Sequence, residues 1–162
     1  EEKVYNNYSL VIHQGKIVEL LATKRCQKKY HGHTQHHCTE HALLPGFINT
    51  HTHAAMSLMR GLADDLPLME WLSDHIWPVE GQQVDYQFVK DGTELAIAEM
   101  LRGGTTTFND MYFFPDAAAK AADNAGIRAV IGLIMIDFPS AWAKNSEDYL
   151  HKGLQIHEQY HH

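Results

Sequence analysis

The order of apolar and amphipathic segments after residue 43 constrains the fold of this chain more than any other feature. Apolar and β-branched runs predict strands at residues 44–49, 105–109 and 127–136. Segments with helical spacing follow each strand, and they are long enough to connect parallel neighbours. The β-α-β-α-β-α order therefore predicts an α/β fold with a parallel sheet.

Four helices are predicted from their spacing and their end signals, over residues 68–76, 84–101, 115–126 and 146–162. We expect Pro78 to stop the first helix, and Gly103 and Gly104 to end the second. Three strand–helix units fit the beginning of a TIM-type (β/α)8 barrel, which needs about eight units and roughly 250 residues. The segment 44–162 is therefore expected to supply about three units of a larger α/β barrel.

The first 43 residues have a different pattern and are predicted to form a separate domain. Two apolar runs flank a turn with Gly15 and predict a β-hairpin, over residues 8–12 and 16–21. Residues 23–41 contain almost no aliphatic side chains, and we expect them to be a mobile surface connection. The domain 1–43 is thus interpreted as a hairpin with a linker.

Net charge and cysteine content limit the partners and the cellular setting. The net charge of −7 argues against binding of nucleic acid and favours a neutral or cationic small molecule. The two cysteines, Cys26 and Cys38, imply no disulfide framework and fit a reducing cytoplasm. The longest apolar run, residues 129–136, is too short to cross a bilayer, so no membrane partner is expected. Because the chain begins with Glu1 and not with Met, we expect it to be a piece of a longer protein.

Two histidines at the end of the first predicted strand are the candidate metal ligands. His51 and His53 are spaced i, i+2, so on a strand both imidazoles leave the same face. Imidazole is the commonest metal ligand in proteins, and two at a strand end can form half of a metal site. A second pair, His31 and His33, lies in the polar tract without a strand before it. An alternative hypothesis is a non-catalytic metal-binding module that uses this tract, with the side chains Cys26, His31, His33, His36, His37, Cys38 and His41.

Motifs around the first histidine pair resemble the amidohydrolase superfamily. They read PGFINTHTH at residues 45–53, MSLMRGLADDLPL at 56–68, EWL at 70–72, WPVE at 77–80 and GGTTTFNDMY at 103–112. The later motifs narrow the resemblance to the methylthioadenosine/S-adenosylhomocysteine deaminases, which are relatives of the triazine hydrolases and guanine deaminases. The match runs from about residue 43 to residue 128, and the hairpin before it resembles that family's small β-sandwich domain.

The resemblance implies a hydrolytic deaminase of adenosine-like nucleosides. His51 and His53 would bind one divalent metal ion, most often Zn²⁺, which activates the water that attacks the amino-bearing ring carbon so that ammonia leaves. Glu80 would accept hydrogen bonds from the ribose hydroxyls. The general acid/base and the remaining ligands would come from beyond residue 162, so the chain alone is expected to be inactive. A ribose-free cyclic amidine, such as a triazine or guanine, is the alternative substrate.

Further substrate contacts are expected from residues near the ends of the predicted elements. Trp71 is predicted to form a pocket wall, whereas Trp77 is predicted to serve packing. Asp110, Met111 and Tyr112 follow the second barrel strand and are expected to line the pocket mouth, although a loop cap or an ion pair is at least as good an interpretation of Asp110. For Arg60 and Asp64 we expect a structural ion pair. The expected partners are the nucleoside and either a second copy of the chain or the rest of the barrel.

Overall fold

The first unit of the chain, Glu1–Leu43, contains the hairpin that the sequence predicts. In this computed structural model, which describes residues 3–160, β1 (Tyr8–His13) pairs antiparallel with β2 (Lys16–Ala22). Gln14 and Gly15 reverse the chain with φ of 49° and 72°. Both values lie in the left-handed region that a two-residue type I′ turn requires.

The segment after the hairpin is more ordered than the composition predicts. Helix α1 (Thr23–Lys29) occupies part of the expected mobile connection. Its Lys, Arg and Gln residues are good helix formers, and Lys28 and Lys29 near its end complement the helix dipole. Lys29 and Tyr30 also donate hydrogen bonds of 2.7 Å to Glu19 on β2. Residues 31–46 contain no helix or strand, in agreement with the predicted connection.

The second unit, Leu44–His162, is built on a parallel three-stranded sheet, as the β-α alternation predicts. Its strands are β3 (Phe47–Thr52), β4 (Thr105–Met111) and β5 (Arg128–Gly132), and they lie side by side in that order. β5 is shorter than the predicted run 127–136, because pairing with β4 ends at Gly132.

The first helical segment of this unit continues past the point where the sequence predicts its end. It consists of α2 (Leu68–Glu70), a π-helical turn (Trp71–Ile76) and α3 (Trp77–Gln83). The prediction that Pro78 stops the helix is therefore wrong. Pro78 lies in the first turn of α3, directly after the π-helical turn, so the change in hydrogen-bond pattern coincides with the residue that lacks an N–H.

The remaining helices lie where the sequence predicts them, with ends shifted by a few residues. They are α4 (Tyr86–Arg102), α5 (Pro115–Ala125) and α6 (Ser146–Tyr160). Asp85 caps α4 by accepting a hydrogen bond from the Phe88 N–H. The predicted extension of α6 to residue 162 lies outside the described residues.

The core of the second unit packs α4 and α5 against β4 and against a 3₁₀ segment (Ala54–Met59) that follows β3. Phe108 on β4 and Ile97 on α4 are fully or nearly fully buried in it. Gly92 on α4 lets the helix backbone approach the 3₁₀ segment, since a Cβ atom there would lie 2.4 Å from the Ala55 carbonyl oxygen. Close packing therefore fixes the backbone that directly follows His53. Across residues 3–160, no helix combines the length and the hydropathy needed to cross a bilayer.

Candidate functional site

The end of β3 brings the two predicted metal ligands together. The imidazole rings of His51 and His53 lie 5.1 Å apart between centroids, in an edge-to-face arrangement. The pairing of β3 with β4 is irregular between Asn49 and Thr52. There the Asn109 side-chain amide donates to the Thr50 carbonyl at 3.0 Å. This side-chain hydrogen bond replaces a regular contact of the strand ladder and ties the end of β3 to its neighbour.

The ring of His53 has a defined orientation. Its Nδ1 lies 2.6 Å from the carbonyl oxygen of Met111 at the end of β4. Because a carbonyl only accepts, Nδ1 is the donor in this contact, and Nε2 is the ring nitrogen left for a metal. A hydrogen bond of this kind from the second ring nitrogen is the usual support of a metal-binding histidine. His53 is thus held in an orientation that suits a metal ligand.

Asp110 supports the backbone on both sides of His53. It is 1% exposed, and its Oδ1 accepts hydrogen bonds of 2.7 Å from the Thr52 hydroxyl and from the Ala54 N–H. Burial raises the pKa of Asp110, and the donors Ala54 and Thr52 partly offset this rise. These contacts match the interpretation of Asp110 as a structural cap, while direct contact with a substrate stays a prediction.

Glu80 on α3 reaches the same end of the sheet. Its Oε1 accepts a hydrogen bond of 2.6 Å from the Tyr112 hydroxyl. The Tyr112 ring lies 6.4 Å from the His53 ring between centroids, and the charges of Glu80 and His53 interact. The structure therefore brings the predicted ribose ligand close to one of the two predicted metal ligands, although the two are 27 positions apart in the sequence.

Burial changes the acidity of both partners in the Glu80–Tyr112 hydrogen bond. It raises the pKa of Glu80, and the Tyr112 hydroxyl and the His53 charge partly offset the rise. Burial and the adjacent Glu80 raise the pKa of Tyr112 far above its ordinary value. The phenol thus keeps its proton and acts as a donor to the carboxylate.

Other predicted residues have less direct links to this cluster. Trp71 is half-buried at the start of the π-helical turn, and its role as a pocket wall stays a prediction. Trp77 is 43% exposed, and its ring lies 6.4 Å from that of Phe138, so the prediction that it serves packing holds only in part. Arg60 pairs with Glu99 on α4 through two hydrogen bonds of 2.9 and 2.6 Å, instead of with Asp64 as expected. A bidentate carboxylate on the adjacent helix offers Arg60 the better geometry.

The predicted metal ligands His51 and His53 have no third ligand grouped with them among the described residues. Within residues 3–160, no three or more His, Cys, Asp or Glu side chains are grouped so that they could hold a metal ion. The same finding covers the polar tract 23–41, whose histidines and cysteines therefore do not form a ready site in this fold.

Sequence reasoning did not predict the contacts made by Met111 and Tyr112. Both were expected to line a pocket mouth, but Tyr112 is only 7% exposed, and its hydroxyl is used by Glu80. One signal in the sequence points to such a contact. Tyr112 precedes Phe113 and Phe114, and a buried tyrosine among phenylalanines needs a hydrogen-bond partner for its hydroxyl.

Comparison with known proteins gives the same family along most of the second unit. The model of the amidohydrolase family matches residues 42–161. The chain is 54% identical over 158 residues to 5-methylthioadenosine/S-adenosylhomocysteine deaminase of Saccharophagus degradans, and 50% identical over 162 residues to the protein of that name from Thermodesulfovibrio yellowstonii. These matches cover 98% and 99% of this chain but 35% and 37% of the relatives. The chain thus spans about a third of the length of the curated relatives that it matches.

A solved structure is similar over nearly the whole chain. It is an adenosine deaminase from Xanthomonas campestris with bound zinc, with a TM-score of 0.84 and 42% sequence identity. The match covers 96% of this chain and 36% of that protein.

Proposed function

The chain belongs to the amidohydrolase family, and from this premise we propose that the intact protein is a metal-dependent hydrolytic deaminase of adenosine-like nucleosides. The reaction would replace the exocyclic amino group of the purine by oxygen and release ammonia. We further propose 5′-thioether nucleosides, such as 5-methylthioadenosine and S-adenosylhomocysteine, as substrates. The names of the most similar relatives support this choice.

The donor set at the end of β3 fits a divalent metal ion, for which we propose zinc. His51 and His53 would hold it, because their ring centroids lie 5.1 Å apart and His53 Nδ1 is held by the Met111 carbonyl. When bound, such an ion lowers the pKa of a coordinated water to near neutrality. The zinc in the similar adenosine deaminase structure supports this assignment.

The single observation that carries the nucleoside proposal is the position of Glu80 beside His53. A half-buried carboxylate at that point can accept hydrogen bonds from ribose hydroxyls while the base faces the histidines. Burial strengthens these hydrogen bonds, because they compete less with water than at an exposed site. Trp71 would contribute a wall of the same pocket.

The remaining parts of the proposed reaction are assigned to other segments of the intact protein. We propose that further strands of a (β/α)8 barrel supply the remaining metal ligands and the general acid/base. Exposed apolar side chains on the sheet support this, since Ile48 on β3 and Val130 on β5 are 67% and 60% exposed. We also propose a cytoplasmic setting, which the two unpaired cysteines, Cys26 and Cys38, support.

Substitution of Glu80 by alanine in the intact protein tests the proposal. We expect Glu80→Ala to lower kcat/KM for 5-methylthioadenosine by about 10- to 100-fold, the effect of losing hydrogen bonds to a charged group. Turnover of a ribose-free aminopurine or triazine should not change. Glu70→Ala is the matched control, since Glu70 is an exposed carboxylate on the same helical segment.

Two results would contradict this function. Purified intact protein without any bound divalent metal, measured by elemental analysis, would exclude the proposed chemistry. An equal loss of activity on nucleosides and on ribose-free rings would instead exclude the ribose role of Glu80 and favour a cyclic amidine without ribose as the substrate.

A further inference from the structure

Two successive residues at the end of β4 hold the two halves of the candidate site. The Met111 carbonyl accepts from His53 at 2.6 Å, and the hydroxyl of the next residue, Tyr112, donates to Glu80 at 2.6 Å. His53 belongs to the end of β3, whereas Glu80 lies on α3. The position of one relative to the other therefore depends on the short segment Met111–Tyr112.

We propose that Tyr112 is a positioning residue that orients Glu80 for recognition of the ribose hydroxyls. This inference rests on the proposed nucleoside function. The Tyr112 hydroxyl occupies Glu80 Oε1, so Oε2 is the oxygen left for a substrate hydroxyl. Without that contact, the Glu80 side chain would gain rotational freedom that substrate binding must then remove.

The surroundings of Tyr112 make its hydroxyl suited to this role. Its ring is buried among Ala55, Met59, Val84 and Val89, so packing fixes the direction in which the hydroxyl points. The hydrogen bond of 2.6 Å therefore holds Glu80 Oε1 at a position that the packing of the Tyr112 ring determines.

A second buried tyrosine in the same unit, Tyr149, provides the control that separates a positioning role of Tyr112 from a contribution to stability. Tyr149 is fully buried, and its hydroxyl donates to Ser140 at 2.6 Å in a different cluster. Tyr112→Phe and Tyr149→Phe each remove one hydroxyl and keep the aromatic ring. Both variants are expected to fold, because phenylalanine fills nearly the same volume.

The experiment measures binding of adenosine and of 2′,3′-dideoxyadenosine to the intact protein by calorimetry, after removal of the metal so that neither nucleoside is turned over. We expect Tyr112→Phe to weaken adenosine binding about tenfold, as for a hydrogen bond to a charged group. Binding of the dideoxy compound and the zinc content should stay unchanged. Tyr149→Phe should lower the Tm without changing the ratio of the two dissociation constants.

The outcomes separate this inference from the function on which it rests. If the unsubstituted protein binds adenosine no more tightly than dideoxyadenosine, the ribose role of Glu80 fails, and the role of Tyr112 fails with it. If the unsubstituted protein prefers adenosine and Tyr112→Phe keeps the full preference, the positioning role alone is overturned. An equal weakening of both ligands also overturns it, because a purely structural effect would act in that way.

Discussion

The chain contains two His-x-His pairs with identical spacing, and the fold organises only one of them. His51 and His53 end a strand of the parallel sheet, and the proton of His53 Nδ1 is used by the Met111 carbonyl. His31 and His33 lie beyond helix α1 in a segment without helix or strand, and both are exposed. Spacing alone therefore does not identify metal ligands. The two pairs differ in the secondary structure that precedes them and in the hydrogen-bond partner of the second ring nitrogen.

The contacts of the exposed pair show what is missing there. His31 Nδ1 lies 3.3 Å from the Lys28 carbonyl, and the His33 ring lies 5.7 Å from the Tyr30 ring. Both contacts are made with residues only three positions away, so within residues 3–160 neither ring is held by a distant part of the chain. His53 is instead held by Met111 of β4, and the adjacent Thr52 by Asp110 of β4, in both cases across 58 positions of the sequence. Long-range contacts of this kind reduce the conformational freedom that metal binding would otherwise have to remove.

The largest expected difference between the two pairs is in metal binding. We expect the double change His51→Ala and His53→Ala to abolish zinc binding and nucleoside deamination by the intact protein. The matched double change His31→Ala and His33→Ala should leave both unchanged, since neither ring is held by distant residues. Elemental analysis of the purified proteins measures the effect. Full zinc content in the first variant would show that the polar tract is the site and would contradict the enzyme hypothesis.

Loss of the Asp110 carboxylate tests how strongly the fold supports the strand-end pair. Asp110→Ala would leave the buried Ala54 N–H without its acceptor. We therefore expect the free energy of unfolding to fall by about 2–3 kcal/mol. Thr52 keeps an alternative acceptor in the Asn109 carbonyl at 3.0 Å. Chemical denaturation of the metal-free protein measures the change.

Two control variants complete this test of Asp110. Asp110→Asn should recover most of the stability, because its amide oxygen can accept the same hydrogen bonds. Glu40→Ala, at an exposed carboxylate in the polar tract, should change stability by less than about 0.5 kcal/mol. Equal effects of Asp110→Ala and Glu40→Ala would mean that the cap does not stabilise the end of β3.

Much of the fold could be predicted because local sequence signals and tertiary structure agree. The three strands of the parallel sheet correspond to apolar runs, and Gly126, with φ of 67°, ends α5 where the sequence predicts it. The prediction that Pro78 stops the first helix was wrong because local sequence does not distinguish a proline that ends a helix from one in the first turn after a π-helical turn. Helix α1 was missed because its stability depends partly on Glu19 of the preceding strand.

Local sequence patterns likewise predict only some residues of the candidate site, and the others depend on long-range contacts. His51 and His53 could be found because strand alternation places them on one face. Glu80 could be found only through the resemblance to a known family, since a single carboxylate carries no spacing signal. The contacts of Met111 and Tyr112 depend on the register of β3 against β4 and on the path of α3, and no local pattern encodes these.

The smallest expected effect concerns the glycine that allows α4 to approach the segment after His53. In Gly92→Ala, the new Cβ would lie 2.4 Å from the Ala55 carbonyl oxygen and 2.9 Å from its Cα, both backbone atoms that cannot rotate away. Overpacking of this kind costs about 1–3 kcal/mol, and the higher helix propensity of alanine returns up to about 1 kcal/mol. With the full propensity gain, we therefore expect a net loss of up to about 2 kcal/mol in the free energy of unfolding, measured by chemical denaturation.

Substitutions of two other glycines are the controls for Gly92→Ala. Gly81 on α3 and Gly32 in the polar tract would both place a new Cβ in open space, with nothing within 4 Å. Gly81→Ala should stabilise the protein by up to about 1 kcal/mol through helix propensity, whereas Gly32→Ala should have little effect. A stabilising Gly92→Ala would mean that the 3₁₀ segment can move away from α4. In that case packing would not fix the backbone after His53, and the contrast between the two histidine pairs would rest on their hydrogen bonds alone.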